Sequence, residues 1–150
     1  KAMNKVVKNV ENYADLQMEE YAPIDKNNGR FLSDTVCYNA CKVAEQVGAK
    51  SVMTMTHSGY NAFKISSFRP PSKICIFTSN RTILNTLSLL WGVRGYYYND
   101  FVSTDDTIAD ITNVIKLKKV VKEGDFVVNI ASMPITQKGM TNMMKISRVK

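Results

Sequence analysis

Residues 51–78 read SVMTMTHSGYNAFKISSFRPPSKICIFT: a strand, a turn, a helix and a second strand in succession. Ser51 to Met55 is a short, largely apolar run, and Thr56-His57-Ser58-Gly59-Tyr60-Asn61 turns the chain out of it. An amphipathic segment then covers about 60–68. It stops at Arg69-Pro70-Pro71, because proline lacks the N–H that a helix interior needs. From Lys73 to Thr78 the chain is continuously apolar through Ile74, Cys75, Ile76 and Phe77, the pattern of a strand covered on both faces. Strands joined through a helix return parallel to one another.

The same alternation continues on either side. Ser33 or Asp34 is placed to cap a helix reaching about Val47, with Val36, Cys37, Ala40, Cys41, Val43, Ala44 and Val47 on one face and Gly48 as its stop. Asn80 caps a helix that turns Ile83, Leu84, Leu87 and Leu90 inward, and residues 93–98 form a third strand. Thr104 or Asp105 opens a helix with Ile108, Ile111, Ile115 and Leu117 or Val121 inward, ended by Gly124. Strands follow at 126–131 and 143–149, with no helix between them, so the last should run antiparallel at an edge. The fold class is α/β: a three-layer α/β/α sandwich over a five-stranded mixed sheet, mostly parallel. Upstream, Met3, Val6, Val7 and Val10 have helical spacing, while residues 14–30 lose periodicity and read as a linker. The chain thus divides into residues 1–30 and a domain over 31–150.

Composition narrows the function. Hydrophobic content of 45% and charged content of 22% are globular values. No apolar run approaches the roughly 20 residues of a membrane span, so no membrane is expected as a partner. Cys37, Cys41 and Cys75 all sit in apolar patterns and read as buried reduced thiols, which fits a cytoplasmic location. The net charge of +7 resides wholly in residues 31–150, because residues 1–30 hold five basic and five acidic side chains. That excess admits a basic nucleic-acid-binding module as an alternative function. Four of these cations, however, crowd one helix end (Lys116, Lys118, Lys119, Lys122), where they complement the macrodipole, and a solvated basic surface explains the rest. No nucleic acid is therefore expected as a partner. No metal-ligand cluster, phosphate-cradling Gly-Lys loop or His–acid pair is present, so neither catalytic residues nor a metal site nor a bound cofactor is expected.

What remains is the turn. A strand-to-helix turn of small residues collects free backbone N–H groups at the positive end of the helix dipole, which suits a phosphate oxygen. On a sheet of this kind, ligands favour the carboxyl ends of the strands. The loop over 132–142 should end at the same rim. The expected phosphate-binding set is therefore Thr56, His57, Ser58, Gly59, Tyr60 and Asn61 with Thr136, Gln137, Lys138 and Gly139.

Four stretches in order carry a family likeness: Thr56-His57-Ser58-Gly59 with Arg69-Pro70, Ile76-Phe77-Thr78-Ser79-Asn80, Leu90-Trp91-Gly92-Val93, and Glu123-Gly124-Asp125-Phe126-Val127-Val128 with Gly139-Met140-Thr141-Asn142-Met143-Met144-Lys145. Over residues 30–150 the chain resembles the C-terminal domain of pyruvate kinase, and residues 1–13 resemble the last helix of that enzyme's barrel. The resemblance implies an effector-binding and assembly domain, not a catalytic one. It implies that the parent transfers a phosphoryl group from phosphoenolpyruvate to ADP in the barrel, with magnesium and potassium, and is a homo-oligomer, a tetramer. It also implies that residues 56–59 hold one phosphate and that 136–142 form the flap beside it. Where fructose-bisphosphate-binding members place basic residues around Ser-Gly, this chain has His57 and Tyr60; near the family's distal arginine it has Thr107. A bisphosphate wants paired cations, so a sugar monophosphate or inorganic phosphate is the expected ligand.

Overall fold

The computed structural model describes residues 2–11, 26–100, 103–134 and 140–150. Ten elements follow in order: α1 (Ala2–Glu11), α2 (Phe31–Gln46), β1 (Ser51–Met55), α3 (Tyr60–Ser67), β2 (Lys73–Thr78), α4 (Arg81–Leu87), β3 (Val93–Tyr97), α5 (Thr104–Leu117), β4 (Phe126–Ala131) and β5 (Met143–Arg148). The strands form one sheet in the order β3-β2-β1-β4-β5. All pairs are parallel except β4–β5, which is antiparallel, as expected for strands joined without a helix.

Strand alternation sorts the core into two layers. Val52, Ile74, Ile76, Val128 and Ile130 face α2, α3 and α4, which contribute Cys37, Ala40, Cys41, Ala44, Ile65 and Leu87. Met53, Cys75, Phe77 and Val127 face the other way, towards Ile111 and Ile115 of α5. Each of these side chains is almost wholly removed from water, a gain of about 1.5–3 kcal/mol for each large aliphatic or aromatic one. The three layers are those the alternation predicted. The three cysteines are buried and free.

Two boundaries differ from expectation. α2 starts at Phe31, with Arg30 in the cap position and no side-chain cap. Ser33 and Asp34 are not caps but buried members of the first turn, because partners from other elements hold their side chains. α5 ends at Leu117 instead of running towards Gly124. Lys119 adopts a left-handed φ of 56° there, and Val120 N–H closes onto the Ile115 carbonyl at 3.0 Å. Leu117 consequently stays in solvent while Val121 is buried. Along β3 and one residue past its end the three tyrosines alternate: Tyr97 is exposed on one side, while Tyr96 and Tyr98 lie beside Phe77.

Candidate functional site

β1 delivers the turn to the carboxyl rim of the sheet. Thr56 N–H continues the β ladder to the Phe77 carbonyl at 3.0 Å, and its hydroxyl oxygen accepts the Gly59 N–H at 2.9 Å. That bond draws the loop into a tight arch. Gly59 sits at φ +83° as the cap residue of α3, and no side chain caps the helix. A Cβ on Gly59 would lie 3.2 Å from the Ile83 side chain, so both conformation and space ask for glycine. His57 and Ser58 stand exposed at the crest. The Tyr60 N–H lies 3.4 Å from the Ser58 hydroxyl, at the long end of hydrogen bonding. An uncapped first turn of this kind presents N–H groups outward with the positive end of the helix dipole behind them.

Behind the crest, the turn is anchored on both sides. Asn61, buried, donates to the Thr141 hydroxyl at 2.7 Å and lies 3.4 Å from the Thr54 hydroxyl. Thr141 N–H in turn donates to the Ser33 hydroxyl at 3.0 Å, on the first turn of α2. The loop before β5 is closed at its base by Asn142, whose carboxamide accepts from Met133 N–H at 2.7 Å and donates to the Met133 carbonyl at 2.8 Å. The 56–61 turn and both described ends of the 132–142 loop therefore share one rim. Thr136, Gln137, Lys138 and Gly139 lie outside the described residues.

Tyr60 is also held from within. Its hydroxyl donates to Asp34 at 2.6 Å, and the other Asp34 oxygen lies 3.2 Å from Lys64 Nζ. The Arg30 guanidinium stacks 4.0 Å above the Tyr60 ring. Burial, then the hydrogen bond to Asp34, pushes the Tyr60 phenol above its ordinary pKa. Tyr60 and Asn61 thus spend their side chains on internal partners, and what they can offer an anion is main chain.

Arg30, Ser33, Asp34 and Lys64 were missed by sequence reasoning. One signal was available: Asp34 falls on the same helical stripe as Cys37 and Cys41, and an acid on an apolar stripe demands a partner from elsewhere. Among the described residues, no group of three or more His, Cys, Asp or Glu side chains comes together as a metal site would require. No helix among them is long and apolar enough to cross a membrane.

A family model for the pyruvate kinase alpha/beta domain matches residues 34–147. Among curated relatives, a pyruvate kinase of Lactobacillus delbrueckii subsp. bulgaricus is 31% identical over 130 residues, covering 87% of this chain and 21% of the relative. A pyruvate kinase of Clostridium acetobutylicum is 28% identical over 149 residues, covering 99% of this chain and 31% of the relative. The chain therefore spans between a fifth and a third of these relatives' length. Among solved structures, a pyruvate kinase from Cryptosporidium parvum superposes with a TM-score of 0.73 at 24% identity, covering 87% of this chain and 24% of that one.

Proposed function

The chain belongs to the pyruvate kinase alpha/beta-domain family, and on that footing we propose that it binds a phosphate-bearing effector and assembles with copies of itself, leaving catalysis to another part of its parent. The ligand is inorganic phosphate or the phosphate of a sugar monophosphate. It sits on the main-chain N–H groups of the Ser58–Asn61 arch other than that of Gly59, which Thr56 already holds, and beside the Ser58 hydroxyl. The carrying observation is that the left-handed, uncapped start of α3 is tied to the base of the neighbouring loop through Asn61 and Thr141 at 2.7 Å. The proposed set also includes Thr136, Gln137, Lys138 and Gly139. Oligomerisation runs through the β5 edge.

The parent, on this reading, is a cytoplasmic enzyme that moves a phosphoryl group from phosphoenolpyruvate to ADP. Its magnesium and potassium find no fit here, since the described residues offer no cluster of hard, anionic ligands. Residues 1–30 are then the closing helix of the preceding barrel with its linker, which accounts for the exposed Met3, Val6, Val7 and Val10 on α1. The nucleic-acid alternative gains nothing from the family comparisons. The basic cluster it relied on is partly spent internally, since Lys116 bonds the Lys150 carbonyl and lies 3.7 Å from Glu123.

Titration calorimetry with inorganic phosphate, a hexose monophosphate and duplex DNA tests the reading. Phosphate and phosphosugar should give heat and DNA none. Gly59→Ala should weaken the phosphate signal at least tenfold, because a Cβ there strains the arch. Unchanged phosphate binding by a folded Gly59→Ala protein would remove the turn from the site.

A further inference from the structure

The turn over Thr56 to Asn61 contains no residue with a permanent positive charge. A phosphoryl group carries a charge of about −1.5 to −2 near neutral pH, and its strong partners are cations. Another element brings one to the turn. The guanidinium carbon of Arg30 lies 4.0 Å from the centre of the Tyr60 ring, and Tyr60 is the residue after Gly59, the first of α3.

Both halves of this stack are held. The Arg30 N–H donates to Asn28 Oδ1 at 3.0 Å, and its carbonyl accepts the Asp34 N–H at 2.9 Å. The Tyr60 ring is fixed at its far end, where the hydroxyl donates to Asp34 at 2.6 Å. Cation–π contact then keeps a charged group over the ring without a carboxylate beside it.

The local charges do not cancel. Buried Asp34 faces Tyr60 through one oxygen and Lys64 Nζ, 3.2 Å away, through the other. Arg30 is exposed and forms no ion pair among the described residues. Two cations therefore stand against one carboxylate, and Arg30 is the one in excess. It also occupies the cap position of α2, where no side chain caps the helix. A cation at that end is repelled by the helix dipole, a poor placement for folding that a bound anion turns to advantage.

We infer that Arg30, carried on the Tyr60 ring, supplies the positive charge of the anion turn and draws the phosphoryl group onto the Ser58–Asn61 arch. The inference rests on the reading of that turn as a phosphate site. It gives the site a determinant of affinity from α2, outside the turn's own sequence.

Titration calorimetry with inorganic phosphate on the 150-residue protein tests it. Arg30→Gln should weaken binding about fivefold or more in roughly 0.01 M salt. The difference should close in roughly 1 M salt, where screening acts within about 3 Å. Arg30→Lys should recover most of the low-salt affinity. The urea midpoint of Arg30→Gln should equal or exceed the parent's, because a repelled cation has left the start of α2; a structural prop would instead lower stability and affinity together, at any salt. Gly59→Ala separates this inference from the one beneath it. If the parent binds phosphate and Gly59→Ala does not, the turn is the site, and an Arg30→Gln protein with the parent's affinity overturns the role of Arg30 alone. A loss in Arg30→Gln that persists undiminished in high salt overturns it too, and a parent that binds no phosphate overturns both.

Discussion

Gly95 has no side chain because Leu84 stands where one would go: a Cβ there would lie 2.9 Å from Leu84 Cδ2. The backbone of β3 lets α4 settle against the sheet, and Leu87 packs over the same glycine. Gly95→Ala should therefore cost about 1–3 kcal/mol through overpacking, measurable as a lower urea midpoint with an unchanged slope. Nothing in the sequence around Gly95 announces this contact, since the clash comes from another element. The buried thiols are different, because their environment was readable from the apolar stripe of α2. Burial first, then nearby charge, pushes Cys37 and Cys41 each up to about 12 from 9.0. An acid whose folded pKa is raised keeps its full contribution below the unfolded value and loses it as pH climbs to the folded one. Between pH 9 and 12 the folded state holds the protons that the unfolded state releases. Stability should thus be flat below about pH 8 and fall above 9, by up to about 1.4 kcal/mol per pH unit for each thiol. Replacing both cysteines by alanine should flatten that slope in denaturation curves at pH 8 and 11.

Among the elements, β5 raises the clearest question. It is the antiparallel edge of the sheet, so among the described residues one side of its backbone has no strand beside it, and Met140, Met144 and Ile146 are exposed at or beside it. Met144 and Ile146 lie opposite Ile130 and Val128, on the face that α2 covers. A second copy could extend the sheet across this edge and cover those side chains together. Met144→Lys with Ile146→Lys should weaken self-association at least tenfold in sedimentation equilibrium while leaving the monomer folded. A parent chain that stays strictly monomeric at high concentration would refute the contact. Helix starts show where local reading is reliable. Asn80 caps α4 as predicted, accepting from Thr82 and Ile83 N–H. Asp34 reads as a cap by residue type, yet its carboxylate is claimed by Tyr60 and Lys64 from α3. A capping side chain is local only while no tertiary partner outbids the helix.

Across the domain, the succession of strands and helices, the cover on both faces of the sheet and the antiparallel last strand at its edge were written in hydrophobic periodicity and in the presence or absence of a crossover helix, while the spatial order β3-β2-β1-β4-β5 was not. Those are properties of neighbouring residues, fixed by side-chain direction and connection length, and the chain can express them without knowing its final shape. The candidate anion turn was legible for the same reason, as a strand, a small-residue arch and a helix in immediate succession. What no local pattern carries is which distant groups meet. Thr141 lies 80 residues from Asn61 and 108 from Ser33, and the three are joined only because β4 and β5 bring the chain back to the rim where β1 ends. Long-range polar contacts depend on the angles and spacings between layers, which packing sets once the sheet has formed; periodicity assigns each residue a side, and only the assembled layers assign it a partner.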